Sequence, residues 1–290
     1  MHRASGSDPR ASDGKLETPG CPLCGCALAK RFFEAEFHPY ALARCQSCAF
    51  HFLSPRAPRS EMAERYREAD YYGRDGSSGY DDYQGQATAL GRTFARMVSE
   101  LHRRGLTGGD LLEVGCGYGY FLEKARGRFR RIEATEFSLH AIDKAKRHAD
   151  AVFAGGIESV PPGRQYDLLV ALQVLEHVYE PRLFLRELRE RLRPGGHLLL
   201  GVPDMASPWR ILLGPRWPSF KIPEHVLYFE KASLHRLMRE EGFLDVVAMP
   251  YPHAFSLRLL AGKFGIELPS RFDGRCLWVP RTTLAAIGKR

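Results

Sequence analysis

The chain has no uninterrupted apolar run near the ~18 residues a membrane-crossing helix requires. Its first residues, MHRASGSDPRASDGKLETPG, also lack the apolar core of a secretory leader. The expectation is therefore a soluble, cytoplasmic protein with no membrane span. Internal repeats at the roughly 20–50-residue periods of solenoids and propellers are absent as well. Acidic residues are fewer than basic ones, 34 against 42, which leaves a net charge of +8. Such an excess suits nucleic acid, an anionic sugar nucleotide or an acidic surface, and does not choose among them. Apolar residues are not in short supply: 44% hydrophobic and 26% charged is ordinary globular usage, which excludes wholesale disorder and fibrous structure. Within 290 residues there is room for one full α/β domain and something small beside it.

Cysteine is scarce and unevenly placed. Of seven, Cys21, Cys24, Cys45 and Cys48 form C-x2-C-x20-C-x2-C, while Cys26, Cys116 and Cys276 stand apart. Grouping of this kind suggests metal rather than disulfides. Four soft ligands at near-ribbon spacing suit one tetrahedral Zn2+, with His38 and His51 as second-choice ligands. Four thiolates close the coordination sphere, so the zinc is expected to be structural and to add folding free energy to a module too small for its own core.

The remaining punctuation divides the chain. Residues 1–18 are polar and aperiodic, a tail; 19–57 form the zinc ribbon; 58–105 form a helical cap; 106–290 form the main domain. In the cap, Met62 and Tyr66 lie four apart, the tyrosine-rich stretch ADYYGRDGSSGYDDY follows, and Leu90, Phe94, Val98 and Leu101 share one helix face that stops at Gly105. Beyond Asp110, the apolar runs LLEV, RIEAT, AVF, DLLVAL, HLLLGV and LDVVAM alternate with amphipathic helices. That alternation is the signature of an α/β fold with a doubly wound parallel sheet, and TTLAAI near the C-terminus is the candidate seventh strand.

The sharpest local signal is Leu111-Leu112-Glu113-Val114-Gly115-Cys116-Gly117-Tyr118-Gly119, a buried strand that runs into alternating glycines and then a helix. Without Cβ atoms, the glycines let backbone approach a ligand at the carboxyl end of the first strand, where doubly wound sheets bind ligands. The third glycine of a pyrophosphate fingerprint is missing, because position 120 is Tyr, and this argues against a dinucleotide. Glu136 closes the second strand 19 residues after Gly117, where a carboxylate can accept from both hydroxyls of an adenosine ribose.

LLEVGCGYG, Glu136, YDLLVALQVLEHV and LRPGGHLLLGVP together resemble the class I S-adenosylmethionine-dependent methyltransferases, over roughly residues 106–250 and the last strand. The resemblance implies a seven-stranded sheet in the order 3-2-1-4-5-7-6 and S-adenosyl-L-methionine as cofactor. It implies that the motif bearing Glu113, Gly115, Cys116, Gly117 and Gly119 cradles the cofactor and that Glu136 holds its ribose. Gly156 and Ile157 would border the adenine, with Gln173 and Val174 alongside. Many members carry an acid directly after the third strand, where this chain reads Gly155-Gly156-Ile157-Glu158. CPLCG, RCQSCAFHFLSPR and RYREADYYG further resemble a bacterial group associated with sugar, surface-polysaccharide and natural-product methylation. That points to a small-molecule or sugar-nucleotide acceptor, with O-methylation expected ahead of C-methylation.

A long connection over residues 203–229 separates the fifth and sixth strands and is the expected acceptor loop. Its Glu224-His225 pair is the leading acid/base candidate, with His225 as general base and Glu224 orienting it or the acceptor. The other use of His225 is to cap or pack the start of the helix bearing Leu234. Glu176-His177, after the fourth strand, is a second such pair at the same end of the sheet, so His177 is also a catalytic candidate. Trp209, Trp217, Tyr228 and Phe229 either floor a sugar-binding surface or anchor the loop. In Arg186–Arg193, Glu187 with Arg191 and Arg186 with Glu190 are spaced to pair on a solvated helix face rather than to bind RNA. Two competing readings remain. One is a zinc-containing ribosomal RNA base methyltransferase, which also begins with CPLC; the other is a noncatalytic zinc-ribbon binding protein with a vestigial cofactor fold.

Overall fold

A computed structural model describes residues 15–33, 37–67, 83–262 and 265–290. Residues 1–14 of the expected tail and residues 69–82 of the tyrosine-rich stretch lie outside the described residues. Three short strands, β1 (Ala29–Arg31), β2 (Leu42–Cys45) and β3 (His51–Leu53), precede helices α1 (Arg59–Arg67) and α2 (Ala87–Arg103). An alternating α/β run follows: β4 (Asp110–Val114), α3 (Tyr120–Ala125), β5 (Arg131–Glu136), α4 (Leu139–Ala145), β6 (Ala151–Ala154), β7 (Tyr166–Leu172), α5 (Pro181–Arg191) and β8 (Leu192–Pro203). The chain continues through α6 (Pro208–Leu213), β9 (Leu227–Tyr228), α7 (Lys231–Glu240), β10 (Leu244–Ala248), β11 (Ala254–Ser256), α8 (Leu257–Gly262), β12 (Cys276–Trp278) and β13 (Thr283–Lys289). No helix among the described residues is long and apolar enough to cross a membrane.

Seven strands form the main sheet in the order β10-β13-β8-β7-β4-β5-β6, which read from the far edge is the expected 3-2-1-4-5-7-6. Six run in one direction, and β13 alone returns antiparallel, between β8 and β10. Alternation along each strand sends side chains to opposite faces. Leu111, Leu168, Val170 and Leu199 meet Phe94, Met97, Val98 and Leu101 of α2 on one face. Leu112, Leu169, Leu198 and Leu200 meet Leu185 and Leu188 of α5 and Leu234, Leu237 and Met238 of α7 on the other. Coverage on both faces explains why the central strands read as continuous apolar runs. The arginines of α5 reach across to α7: Arg182 and Arg186 each pair with Glu241 at 2.6 Å.

The N-terminal strands do not stand alone. β9, at the end of the long connection, pairs antiparallel with β3 (His51↔Tyr228, Phe52↔Leu227) and completes a four-stranded sheet β1-β2-β3-β9. Leu23, Phe50 and Phe52 accordingly share one apolar core with Val226, Phe229 and Leu234. At the other end, residues 249–262 and 265–282 contain the antiparallel pair β11–β12 and α8, and this unit docks on α2. There the Ala254 N–H donates to Thr93 Oγ1 at 2.9 Å, and the Arg96 guanidinium lies 3.6 Å from the Trp278 ring centroid.

Candidate functional site

The carboxyl ends of β4, β5, β6 and β7 open into a cavity of about 300 Å³. Gly115 and Gly117 pave its floor with φ of +70° and +52°, a left-handed backbone that favours glycine. A Cβ on Gly115 would stand 2.7 Å from Val174 Cγ2, and one on Gly117 would stand 2.8 Å from Tyr83 Oη. Glu136 is 5% exposed, and its carboxylate accepts three backbone N–H groups: Gly117 at 2.8 Å, Phe137 at 2.9 Å and Ser138 at 3.0 Å. The second-strand acid is thus clamped to the glycine loop before any ligand is considered.

Gln173 and Val174, at the end of β7, and Gly156, after β6, also line this cavity. Gln173 is held at φ +59°, and its buried Nε2 has no hydrogen-bond partner among the described residues. Thr135 Oγ1, likewise buried and unpartnered there, faces the same space. Unmet polar groups in a cavity wall, one of them on a strained backbone, are characteristic of a ligand site. Gly156 N–H donates to Glu158 Oε1 at 2.8 Å, so the acid one turn late folds back on its own loop.

Four residues expected at the cofactor stand behind the wall instead of in it. Cys116 packs in the core with Leu111 and Phe121, and Ile157 packs in the core on the opposite face. Gly119 lets α3 approach α4, since a Cβ there would lie 3.1 Å from Ala145 Cα. Glu113 is 4% exposed; burial, then the neighbouring Glu136 charge, push its carboxyl well above the usual range.

The opposite end of the cavity is formed by His177, His225, Ser219 and Lys221. The two imidazoles meet edge to face, with ring centroids 4.6 Å apart. His225 Nδ1 lies 2.8 Å from the Ser219 carbonyl, and His177 Nδ1 lies 3.1 Å from the Glu224 carbonyl and 3.0 Å from Tyr66 Oη. A carbonyl can only accept, so each Nδ1 carries the hydrogen and each Nε2 keeps its lone pair. Glu224 is 3% exposed and is not in the cavity wall; the oxygen it offers is its main-chain carbonyl, and it orients His177. Helix α7 is capped by Glu230 and Ser233, so His225 does not serve there. Burial, then His177 and Lys221, hold His225 well below its ordinary value; burial and Lys221 bring His177 down to about 3. Beside them Glu176 is 1% exposed, and burial raises its carboxyl to about 8.

Several wall residues carried no sequence signal. Tyr251, His253 and Phe255 come from the 249–282 unit, which shows no periodicity. Gly201 lets the Tyr251 ring lie on β8, since a Cβ there would stand 2.9 Å from that ring. Trp217, Tyr228 and Phe229 are buried anchors, and Trp209 donates Nε1–H to the Pro280 carbonyl at 2.8 Å; none of the four lines the cavity.

Away from the cavity, the sulfurs of Cys21, Cys24, Cys45 and Cys48 lie within 4.8 Å of one another, and all four are free thiols. Cys21–Cys48 is 3.5 Å and Cys24–Cys45 is 3.6 Å. These approach the roughly 3.8 Å edge of a sulfur tetrahedron around a metal with bonds of about 2.3 Å, so the donor set fits zinc. The N–H groups of Ser47 and Cys48 point at Cys45 Sγ from 3.4 and 3.5 Å, the turn geometry of a metal knuckle.

Sheet order, glycine loop and second-strand acid define the class I S-adenosylmethionine-dependent methyltransferase fold. The chain belongs to the methyltransferase-domain family, whose model matches residues 84–247. It is similar to a mitochondrial ubiquinone biosynthesis O-methyltransferase of Schizosaccharomyces pombe, 32% identical over 142 residues, covering 46% of this chain and 50% of that protein. A tRNA U34 carboxymethyltransferase of Pseudoalteromonas translucida is 32% identical over 153 residues, covering 50% of this chain and 48% of the other. The chain therefore spans about half the length of these curated relatives. Among solved structures, the magnesium protoporphyrin IX methyltransferase of Synechocystis with bound SAH superposes with a TM-score of 0.53 at 14% identity, covering 80% of this chain and 100% of that one. At that identity the likeness is one of fold.

Proposed function

We propose that the chain transfers the methyl group of S-adenosyl-L-methionine to a hydroxyl of a small-molecule or sugar-containing acceptor. The carrying observation is the single cavity with Gly115, Gly117 and Glu136 at one end and His177 and His225 at the other. On this reading the glycine loop and Gln173 hold the amino-acid and thioether parts of the cofactor, Glu136 takes the ribose hydroxyls, and Gly156 borders the adenine. The sulfonium is already activated, so the protein's work is to align acceptor and methyl and to exclude water. With Nδ1 of His225 taken by the Ser219 carbonyl, its Nε2 receives the acceptor's proton on this reading, and Glu224 acts through its carbonyl on His177 rather than through its side chain. Leu90, Phe94 and Phe255 give the cavity apolar flanks that suit a compact acceptor better than an RNA duplex.

The ribbon over residues 19–57 holds one structural Zn2+ on Cys21, Cys24, Cys45 and Cys48, with the cap over 58–105 and the methyltransferase domain over 106–290. The zinc adds folding free energy and takes no part in the chemistry, since four thiolates leave it no open position. Incubating the protein with methyl-labelled cofactor and separate pools of nucleotide sugars, small phenols and alcohols, and RNA tests the acceptor class. Label in a small-molecule fraction is expected, and label confined to RNA overturns the reading. With the acceptor found, His225→Ala should lower kcat by ~10²–10⁴ and leave affinity for S-adenosylhomocysteine nearly unchanged.

A further inference from the structure

A carboxylate buried without partners beside two tethered imidazoles is an expensive arrangement unless something binds there. Glu176 is 1% exposed, and neither of its carboxylate oxygens has a hydrogen-bond partner among the described residues. A carboxylate oxygen of Glu176 and one ring nitrogen each of His177 and His225 lie within 4.8 Å of one another. We propose that Glu176, His177 and His225 form a binding site for one divalent transition-metal ion, open to the acceptor end of the cavity and separate from the four cysteines.

Three features support it. First, both Nδ1 atoms are committed to carbonyl oxygens, of Ser219 at 2.8 Å and Glu224 at 3.1 Å, which fixes the tautomer that presents Nε2. Backbone carbonyls behind ligating histidines are the usual support of a metal site. Second, the two contributing segments are pinned together, because the Val226 N–H donates to the Glu176 carbonyl at 2.8 Å. Third, the donor set is chemically selective. Two imidazoles and one carboxylate suit manganese, iron, cobalt or zinc, and three protein ligands leave positions open for exogenous oxygen. His177 and His225 both line the cavity, so those open positions face the acceptor. Lys221 lines the same end and is the competing cation for the charge of Glu176.

The role given to the ion rests on the methyltransferase reading; its binding does not. An acceptor hydroxyl coordinated to the cation loses its proton to water more readily, as coordinated water does. Its oxygen then bonds to the methyl carbon as the carbon–sulfur bond breaks, and that electron pair stays on sulfur as S-adenosylhomocysteine. With the ion bound, His225 is a ligand rather than the proton acceptor, and chelation of the ion then abolishes turnover.

The probe is Mn2+, which thiolates hold poorly, titrated into the full chain carrying a single equivalent of zinc for its four cysteines and followed by electron paramagnetic resonance. One Mn2+ per chain is expected, with at least tenfold weaker binding in Glu176→Gln and in His225→Gln. Thermal unfolding and S-adenosylhomocysteine calorimetry on each variant check that the fold survives, and His177→Gln replaces any variant that does not fold. Absence of Mn2+ binding to the wild-type chain, or binding unchanged in folded variants, overturns the site. If Mn2+ binds and S-adenosylhomocysteine does not, the metal site stands and the methyltransferase reading falls; the reverse result removes only the metal.

Discussion

Replacing Glu136 with alanine should separate two jobs that one carboxylate performs. The side chain accepts N–H groups from Gly117, Phe137 and Ser138 at 2.8–3.0 Å in a site 5% exposed. Hydrogen bonds to a charged acceptor contribute about 1.5–3 kcal/mol each when lost singly, and water entering the vacated space offsets part of the sum. A total cost to folding of about 2–4 kcal/mol follows, or a drop of very roughly 4–15 °C in Tm for a domain of this size. Ligand binding loses the ribose contact as well, about 1.5–3 kcal/mol, which is ~10–150-fold in Kd. Calorimetry with S-adenosylhomocysteine and a thermal melt on the same sample measure both effects. Glu136→Gln sharpens the test: one amide oxygen can still serve Phe137 and Ser138, while the amide nitrogen would oppose the Gly117 N–H, so the glycine loop alone is disturbed. Unaltered affinity in Glu136→Ala would refute the ribose assignment, and an unaltered melt would refute the clamp.

Cys24→Ser should cost the chain most of its zinc by elemental analysis and lower its Tm, whereas full metal content and an unchanged melt would sink the ribbon. Gly115→Ala should abolish detectable S-adenosylhomocysteine binding in a chain that still folds, because the new methyl meets Val174 Cγ2 at 2.7 Å on a backbone at φ +70°; wild-type affinity would show that the loop gives way. At the other end of the sheet, Asp110 accepts from Arg130, Arg131 and Arg193 at 2.7–2.9 Å, and the Arg130 contact leads in holding its carboxyl well below the usual range. The stabilisation is therefore present above the unfolded-state value near pH 4 and is lost only as pH falls through the depressed one. Urea unfolding should show Asp110→Asn less stable by ~2–3 kcal/mol at pH 7, with the gap narrowing in strong acid; a constant gap contradicts the linkage.

The main sheet was legible because its central strands are buried on both faces and therefore announce themselves as apolar runs such as LLEV and DLLVAL. Gly115, Gly117 and Glu136 were legible for a different reason: close backbone approach and a strand-end acid leave local marks at fixed spacing. Other parts of the site leave none. Glu224 beside His225 reads as an acid/base pair, yet adjacency in sequence says nothing of how the main chain turns, and here the carbonyl of Glu224 meets His177. Tyr251 and His253 reach the cavity because they follow β10, which runs in the same direction as β8 and leaves the sheet at its carboxyl end. A two-residue strand such as β9 is too short to show any period, so its pairing with β3 is visible only in three dimensions.

That small pairing makes the N-terminal module a hinge pin for chemistry it never touches. His225 sits two residues before β9, and β9 is held by β3, whose hairpin partner β2 ends on Cys45. The glycine loop and Glu136 hang from β4 and β5, which pair with neither β3 nor β9. On the proposed reading, withdrawal of a metal held by the four cysteines should leave a half-competent protein: one that still grips the cofactor at its usual strength while the wall facing the acceptor has come loose. Such a protein would sequester cofactor without spending it, so a shortage of metal would appear first as a lost turnover and only later as a lost fold.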